Sequence, residues 1–300
     1  MVSMLKSSSD VLYVLNRKEL CMDLLRFLYG TIPGRMLLKP LTAPGLSRLA
    51  GRLLDHPASR ILIPGFVSRN HINLEEYQNT SYDSFNDFFC RKIKPQLRPV
   101  DPDPMHLISP CDGLLRVYPI TEDLVLPVKQ SGYSISSLLR SKALARRFEG
   151  GYCMVFRLCV DHYHRYCYPA DARRGREVRI DGIYHTVRPV ALESLPVFLE
   201  NTREYCLLKT RSFGTIVQME VGAMLVGRIC NPPAPTHVRR GEEKGFFQYG
   251  GSTIILLLSK NQVEIPESLR VPYEIPVRMG QMIGTGTNAE PQEAACGETG

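Results

Sequence analysis

The chain has 300 residues, enough to bury a substantial core in one large domain or two modest ones, and its 44 % hydrophobic share excludes a disordered polymer. Thirty-seven Lys and Arg against 30 Asp and Glu give a formal charge of +7, which points to an anionic partner. Nucleic acid is the poorer match, because the basic residues are scattered, Trp is absent and no zinc-finger, RRM-type or basic-helix pattern occurs.

Residues 1–19 read as a short leader or an added first strand, without the apolar core and cleavage site of a signal peptide. The nine cysteines are irregularly spaced and include no CxxC pair, so reduced thiols and a cytosolic compartment are expected. No apolar run reaches the roughly 18–20 residues that span a bilayer. A membrane, if met, is met from one side.

Residues 20–95 read as helical. In "LSRLAGRLLD" the apolar Leu46, Leu49, Ala50, Leu53 and Leu54 follow helical spacing, with Arg48 and Arg52 opposite. "RFLYGTIPGRMLLKPL" is similarly apolar and basic, broken by Pro33 and Gly34. Two readings fit: ordinary core-facing helices, or basic amphipathic helices lying on anionic lipid. In "SYDSFNDFFCRKIKP", Ser84 is the expected N-cap, with Asp87 three residues on and Phe85, Phe88, Phe89 and Ile93 forming the apolar side.

"LRPVDPDP" reads as a linker. From 105 to 275 the runs "GLLRVYPI", "LVLPVK", "YCMVFRLCV", "TIVQMEV", "AMLVGRI" and "TIILLL" read as strands punctuated by Gly and Pro. "YSISSLLRSKALARRFEG" and "ALESLPVFLENTREY" read as helices. The expected fold is α+β: an N-terminal helical segment (1–95), then a β-rich body of mostly antiparallel sheets (96–283). The small, polar tail at 284–300 is expected to be disordered.

Four stretches could carry chemistry. Asp112 sits in a Pro-Cys-Asp-Gly turn, where Asp is ordinarily a turn residue. "FRLCVDHYHRYCYP" reads as a strand whose alternation puts His162 and His164 on one face, with Tyr163 and Arg165 on the other. His-x-His-x-x-Cys offers zinc ligands, but a fourth ligand is not evident, so no metal is expected. A histidine acting as general acid or base suits this stretch better. "SFGTIVQMEVGAMLVGRI" reads as two strands flanking Gly222. In "QYGGSTIILLL", Gly-Gly either turns the chain into a buried strand or marks a reactive Ser252.

Together these stretches resemble the phosphatidylserine decarboxylases, from about residue 26 to 258. "SFNDFFCRKIKP", "SPCDG", "YHRY", "FGTIVQMEVGAMLVGRI" and "GEEKGFFQYGGST" match that family's motifs in its order. The resemblance implies a precursor that cuts itself at Gly251–Ser252. Residues 1–251 would form the β fragment and 252–300 the α fragment, held together as a heterodimer. It implies that Ser252 becomes a covalent pyruvoyl group (pyruvate as the cofactor) that decarboxylates phosphatidylserine to phosphatidylethanolamine. It further implies an enzyme peripheral to the cytoplasmic face of a membrane, in contact with anionic phospholipid. Self-attack by a serine on the preceding carbonyl needs an unusual backbone, which glycine tolerates, and a base to activate the hydroxyl.

By the same resemblance Asp112 matches the aspartate of the self-cleavage triad. The family's two histidines in "YHRxH" are here His164 and Cys167. The usual cleavage base is thus replaced, which leaves three candidates. Cys167 could act as a thiolate only with a lowered pKa; His164 could serve both steps; His185 is further away in sequence. His164 is the preferred one. Arg157, Arg165 and Arg188 are the expected holders of the substrate's phosphate and carboxylate. The rival expectations are a decarboxylase of another seryl phospholipid, a lipid-binding relative that does not cut itself, and a hydrolase in which Ser252 keeps its hydroxyl and a free amine.

Overall fold

Helices come first along the chain in the computed structural model, which describes residues 23–121, 125–128, 131–187, 190–191, 196–223, 228–248 and 252–287. The expected leader lies outside these residues. Helices α1 (23–30), α2 (Ile32–Thr42), α3 (Pro44–Asp55) and α4 (Ile63–Asn70) are joined by single residues or by the 3-10 turn Pro57–Leu62. Thr31 caps α2, its Oγ1 accepting from the Gly34 amide at 3.0 Å, and Pro33 occupies the first turn, where its missing N–H is not needed. Pro33 and Gly34 therefore begin a helix rather than break one. Glycine is required at 34, because a Cβ there would stand 2.1 Å from the Phe27 carbonyl oxygen of α1. The short α5 (Phe85–Phe89) carries the expected cap: Ser84 Oγ accepts from the Asp87 amide at 3.1 Å. Its three phenylalanines pack against Phe66 of α4.

Most of the apolar stripe of α3 faces outward, while Ala50 is half-buried and Leu54 packs against the phenylalanine cluster of α4 and α5. Leu49 and Leu53 are 54 % and 64 % exposed, while Ser47 and Gly51 are the buried positions. Ile32, Met36 and Leu37 of α2 are exposed as well.

The body contains strands β1 (His106–Ile108), β2 (Gly113–Pro119), β3 (Val125–Val128), β4 (Ser131–Ser134), β5 (Tyr152–Leu158), β6 (Arg165–Cys167), β7 (Ala172–Arg174), β8 (Val178–Ile180), β9 (Arg203–Lys209), β10 (Thr215–Val221), β11 (Ile229–Cys230), β12 (His237–Val238), β13 (Glu243–Phe247), β14 (Ser252–Leu258), β15 (Val263–Glu264), β16 (Ile275–Val277) and β17 (Met282–Gly286). The main sheet runs β12-β7-β9-β10-β14-β5-β2-β16, with β8 also on β9. A small sheet, β11-β13-β6, covers one of its faces through Tyr166 and Phe247. The named strand pairs are antiparallel.

β14 is central. Ile254, Leu256 and Leu258 join Phe156 and Leu158 in the core beneath the small sheet. Ile255 and Leu257 join Val155, Val217 and Met219 in the core on the other side, where α6 (Ile135–Leu139) and Tyr29 of α1 also pack. Burial of these five aliphatic side chains contributes on the order of 10 kcal/mol.

Four further expectations change. The stretch 159–164 is a turn, not a strand: the His162 amide bonds the Cys159 carbonyl at 3.0 Å, and the Cys159 amide bonds His162 Nδ1 at 3.2 Å. The tail does not begin at 284, since Gly284 to Gly286 pair with β1 and β15. The expected helix over 133–150 is shorter, reduced to α6, α7 (Lys142–Ala145) and a 3-10 turn, because Tyr133 and Ser134 are in β4. Of the helix expected over 191–205, residue 191 is helical and Val197–Glu200 form α8, while Arg203 already begins β9.

Candidate active site

Ser252 opens β14 opposite Leu158 of β5. Its hydroxyl is buried, with no hydrogen-bond partner among the described residues, and Thr253 Oγ1 is in the same state. A buried hydroxyl of this kind carries a desolvation cost of about 1–3 kcal/mol. Alternation along β14 turns Ser252 to the side of Ile254 and Leu256, beneath the small sheet. Gly251, the other half of the expected cleavage site, lies outside the described residues, as does Arg188.

His164 is held on this same side. Its carbonyl accepts from the Phe247 amide at 3.0 Å, five residues before Ser252. Its Nδ1 bonds the His162 carbonyl oxygen at 2.9 Å, so Nδ1 carries the proton and Nε2 is an acceptor. Nε2 is buried without a partner among the described residues. The ring lies 4.1 Å, centroid to centroid, from Phe89 of α5. Burial, with the Arg91 charge adding to it, holds the imidazole well below its ordinary pKa. His164 is therefore neutral at pH 7, in the form that can accept a proton.

Asp112 is engaged elsewhere. Arg98 grips its carboxylate in a fork, with Nε at 2.8 and 3.0 Å from the two oxygens and Nη2 at 2.5 Å from one. The Met279 amide adds a bond of 2.9 Å. The segment around it is tied to the 278–281 loop by Gly280, whose amide bonds the Ser109 carbonyl at 3.0 Å from a backbone φ of +88° that suits glycine. "LRPVDPDP" is thus more than a linker, because its arginine holds the Asp112 turn.

Cys167 docks on that turn. Its amide donates to the Pro110 carbonyl at 2.8 Å and its Sγ approaches the Ser109 carbonyl at 3.9 Å. Burial pushes the thiol up to about 12, with the Asp112 carboxylate adding to the shift. His185 sits in a separate network. Its Nε2 meets Glu200 at 2.8 Å, its Nδ1 meets the Tyr29 hydroxyl at 3.3 Å, and Asn201 clasps its backbone. Asp112 and Cys167 are brought together; His185 is not joined to them by any bond among the described residues.

His162, His164 and Cys167 do not form a ligand cluster among the described residues. Cys159, Asp161 and His162 instead bring one ligand atom each within 4.8 Å of one another, with Arg157 donating to Cys159 Sγ at 3.1 Å. Arg157 is also paired with Glu274 and Arg165 with Glu243. Neither expected anion-holding arginine is thus a free charge.

One feature of this face has little signal in the sequence. Glu220 and Lys244 are both fully buried and 2.6 Å apart. Glu220 pairs with Ile254 in register, two residues along β14 from Ser252. Burial pushes the carboxyl up to about 7 against the pull of Lys244, which is itself held up by Glu220 and Glu177. Only the placement of Glu220 inside the apolar run "TIVQMEV" could have hinted at the pair, since Lys244 lies in the charged stretch "RRGEEKG".

The family model described as phosphatidylserine decarboxylase matches residues 85–285, from the first residue of α5 to within β17. The chain belongs to the phosphatidylserine decarboxylase family. It is 41 % identical over 265 residues to "Phosphatidylserine decarboxylase proenzyme 2" of Clostridium acetobutylicum, covering 87 % of this chain and 91 % of that protein. It is 38 % identical over 271 residues to the phosphatidylserine decarboxylase proenzyme of Ruminiclostridium cellulolyticum, covering 87 % and 90 %. The proenzyme of that name from Clostridium novyi is 36 % identical over 290 residues, covering 91 % and 98 %. As a member of the phosphatidylserine decarboxylase family the chain is an enzyme, a decarboxylase.

Proposed function

We propose that this chain cuts itself at Gly251–Ser252 and, so processed, decarboxylates phosphatidylserine to phosphatidylethanolamine. The observation that carries the reading is the buried Ser252 hydroxyl, without a partner among the described residues, at the head of a central strand and directly after Gly-Gly in the sequence. Relatives named as proenzymes support the self-cutting.

Ser252 Oγ attacks the Gly251 carbonyl carbon. The amide C–N bond breaks, an ester forms, and the nitrogen of residue 252 becomes an amine. Loss of the Cα proton of residue 252 and rupture of its Cβ–O bond release the Gly251 carboxylate and leave dehydroalanine. Tautomerisation, addition of water and loss of ammonia give the pyruvoyl carbonyl. That carbonyl supplies an electron sink for the pair left when CO2 departs.

His164 is our choice of base. Its Nε2 is neutral, unprotonated and without a competing partner among the described residues. Cys167 is a protonated thiol at pH 7, so it does not take over from the histidine it replaces. His185 has both ring nitrogens engaged. Asp112 acts here through position: it fixes Arg98 and the 279 loop, which belongs to the C-terminal fragment, beside the site. The two fragments stay together because β14 lies between β5 and β10 and cannot leave without exposing its aliphatic residues.

No helix among the described residues is long and apolar enough to cross a membrane. The exposed Ile32, Met36 and Leu37 of α2 and Leu46, Leu49 and Leu53 of α3 support docking onto one side of a bilayer. The seven described cysteines are free thiols, which supports the reducing, cytoplasmic side. The test is CO2 release from carboxyl-labelled phosphatidylserine, before and after treatment with borohydride. Release that borohydride abolishes supports the reading; release that it leaves untouched contradicts a carbonyl cofactor.

A further inference from the structure

A cleft of about 650 Å³ lies between α3 and the start of β9. One wall carries Arg48 and Arg52 of α3; the other carries Thr202 and Arg179; Arg228 and Gln248 also line it. Two acids reach it, and one of them, Asp181, is paired with a cation. Asp55 accepts from Asn86 Nδ2 at 2.8 Å, and Asp181 is paired with Arg179 at 2.8 Å. Arg179 also holds Glu204. Arg48, Arg52 and Arg228 make no ion pair among the described residues, so three unpaired guanidinium groups share the cleft with one unpaired carboxylate, Asp55. Guanidinium forks match phosphate oxygens in geometry and keep their charge throughout the physiological pH range.

The cleft lies close to the reactive end of the sheet. The Gly222 amide bonds the Thr202 carbonyl at 2.9 Å, and the register Val221↔Thr253 continues to set Gly222 opposite Ser252. Thr202 is thus two strand spacings, roughly 10 Å, from Ser252. The Gln248 amide bonds the Arg228 carbonyl at 3.1 Å, just before the segment that enters Ser252. The outer side is equally specific: Arg48 and Arg52 share α3 with the exposed Leu46, Leu49 and Leu53. Charge for a head group and apolar surface for acyl chains therefore adjoin on one helix, as a lipid's two ends require.

We propose that this cleft is the phosphate subsite for the phospholipid substrate, with Arg52 and Arg228 binding the phosphodiester while the acyl chains run over Leu49 and Leu53. The proposal rests on the decarboxylase reading and names the residues that hold its substrate. It takes the anion-holding role from Arg157 and Arg165, which are already neutralised.

The test uses the processed full chain and dihexanoyl phosphatidylserine kept below its micelle concentration, so that no charged surface contributes. Arg228→Gln and Arg52→Gln, separately, are expected to raise KM at least tenfold while self-cleavage, read by mass, goes to completion. Arg228→Lys is expected to recover part of the loss, and Arg60→Gln, outside the cleft, to leave KM unchanged. Calorimetric titration with the same lipid is expected to show binding to wild type that Arg228→Gln weakens by the same factor. Inorganic phosphate at equal concentration is expected to bind far more weakly, because it lacks the acyl chains. An unchanged KM and lipid affinity in both glutamine variants would overturn the subsite. Phosphate binding as tight as the lipid's would overturn the lipid assignment and leave a plain anion site. Wild type that binds the lipid through Arg228 but releases no CO2 would instead overturn the decarboxylase reading and keep the subsite.

Discussion

The start of β14 and the outer surface of α2 and α3 break the ordinary rule of burial in opposite directions. At the start of β14, polar atoms without partners among the described residues lie inside an apolar core, Ser252 Oγ and Thr253 Oγ1, and His164 Nε2 is in the same state on the segment paired with Phe247. On α2 and α3, large apolar side chains without cover face water, Ile32 at 73 % and Leu53 at 64 % exposure. Each carries a cost that a purely structural protein would shed. The first arrangement makes sense if the hydroxyl and the imidazole are reagents; the second, if the surface meets lipid. Such local violations are expected where function overrides stability.

The sharpest way to break the comparison is at the core. Ser252→Ala should give one uncut chain with no decarboxylase activity, checked by denaturing gel and by CO2 release; normal cutting in that variant would remove Ser252 from the chemistry. Next, His164→Gln should slow self-cleavage at least a hundredfold, the lower end of what a general base contributes. Cys167→Ser should leave the rate within a few-fold, because a thiol with its pKa near 12 is not the base. The reverse order of effects, timed by gel from fresh expression, would transfer the role to Cys167.

Asp112→Asn separates holding from chemistry. It leaves the Arg98 guanidinium, 11 % exposed, without its carboxylate, and should lower stability by about 3 kcal/mol in denaturant titration. A variant as stable as wild type would show that the fork is not structural.

The buried histidine also sets a pH dependence. A folded-state pKa below the unfolded value of about 6.5 means that the unfolded chain binds a proton that the native His164 refuses. The His164 contribution should therefore be flat above pH 6.5 and fall below it, by up to about 1.4 kcal/mol per pH unit, while Glu220, raised to about 7, acts with the opposite sign between 4.5 and 7. His162 and His185, lowered mainly by burial too, act in the same direction as His164. Self-cleavage should keep its rate from pH 8 down to 6.5, because the base remains neutral throughout. A rate that halves near 6.5 would place the base in water.

The smallest effect belongs to the outer surface. Leu49→Ser should weaken binding to phosphatidylserine vesicles by about 1 kcal/mol, roughly five-fold, without lowering the melting temperature. A loss of melting temperature with unchanged vesicle binding would make that leucine part of a core instead.

Some of this was legible in the sequence because it is local. The Ser84 cap and the strand after Gly-Gly need only neighbours along the chain, whereas Pro33, read as a break, starts a helix because Thr31 caps it. The stripe of α3 was legible as a stripe, but periodicity does not say whether a face meets the core or the solvent; Ser47 and Gly51, small enough for close packing, took the inside. The turn at 159–164 was hidden because its apolar-polar alternation imitates a strand, while a histidine side chain bonding a backbone amide closed it instead. The fork from Arg98 to Asp112, the Glu220–Lys244 pair and the arginine cleft join residues that only the fold brings together.

Intact mass of the purified chain under denaturing conditions tests the central claim most directly. The account predicts two masses, one for a fragment ending at Gly251 and one for a fragment beginning at residue 252 with a pyruvoyl end in place of serine. A single full-length mass, or a second fragment whose first residue is an unmodified serine, would contradict it.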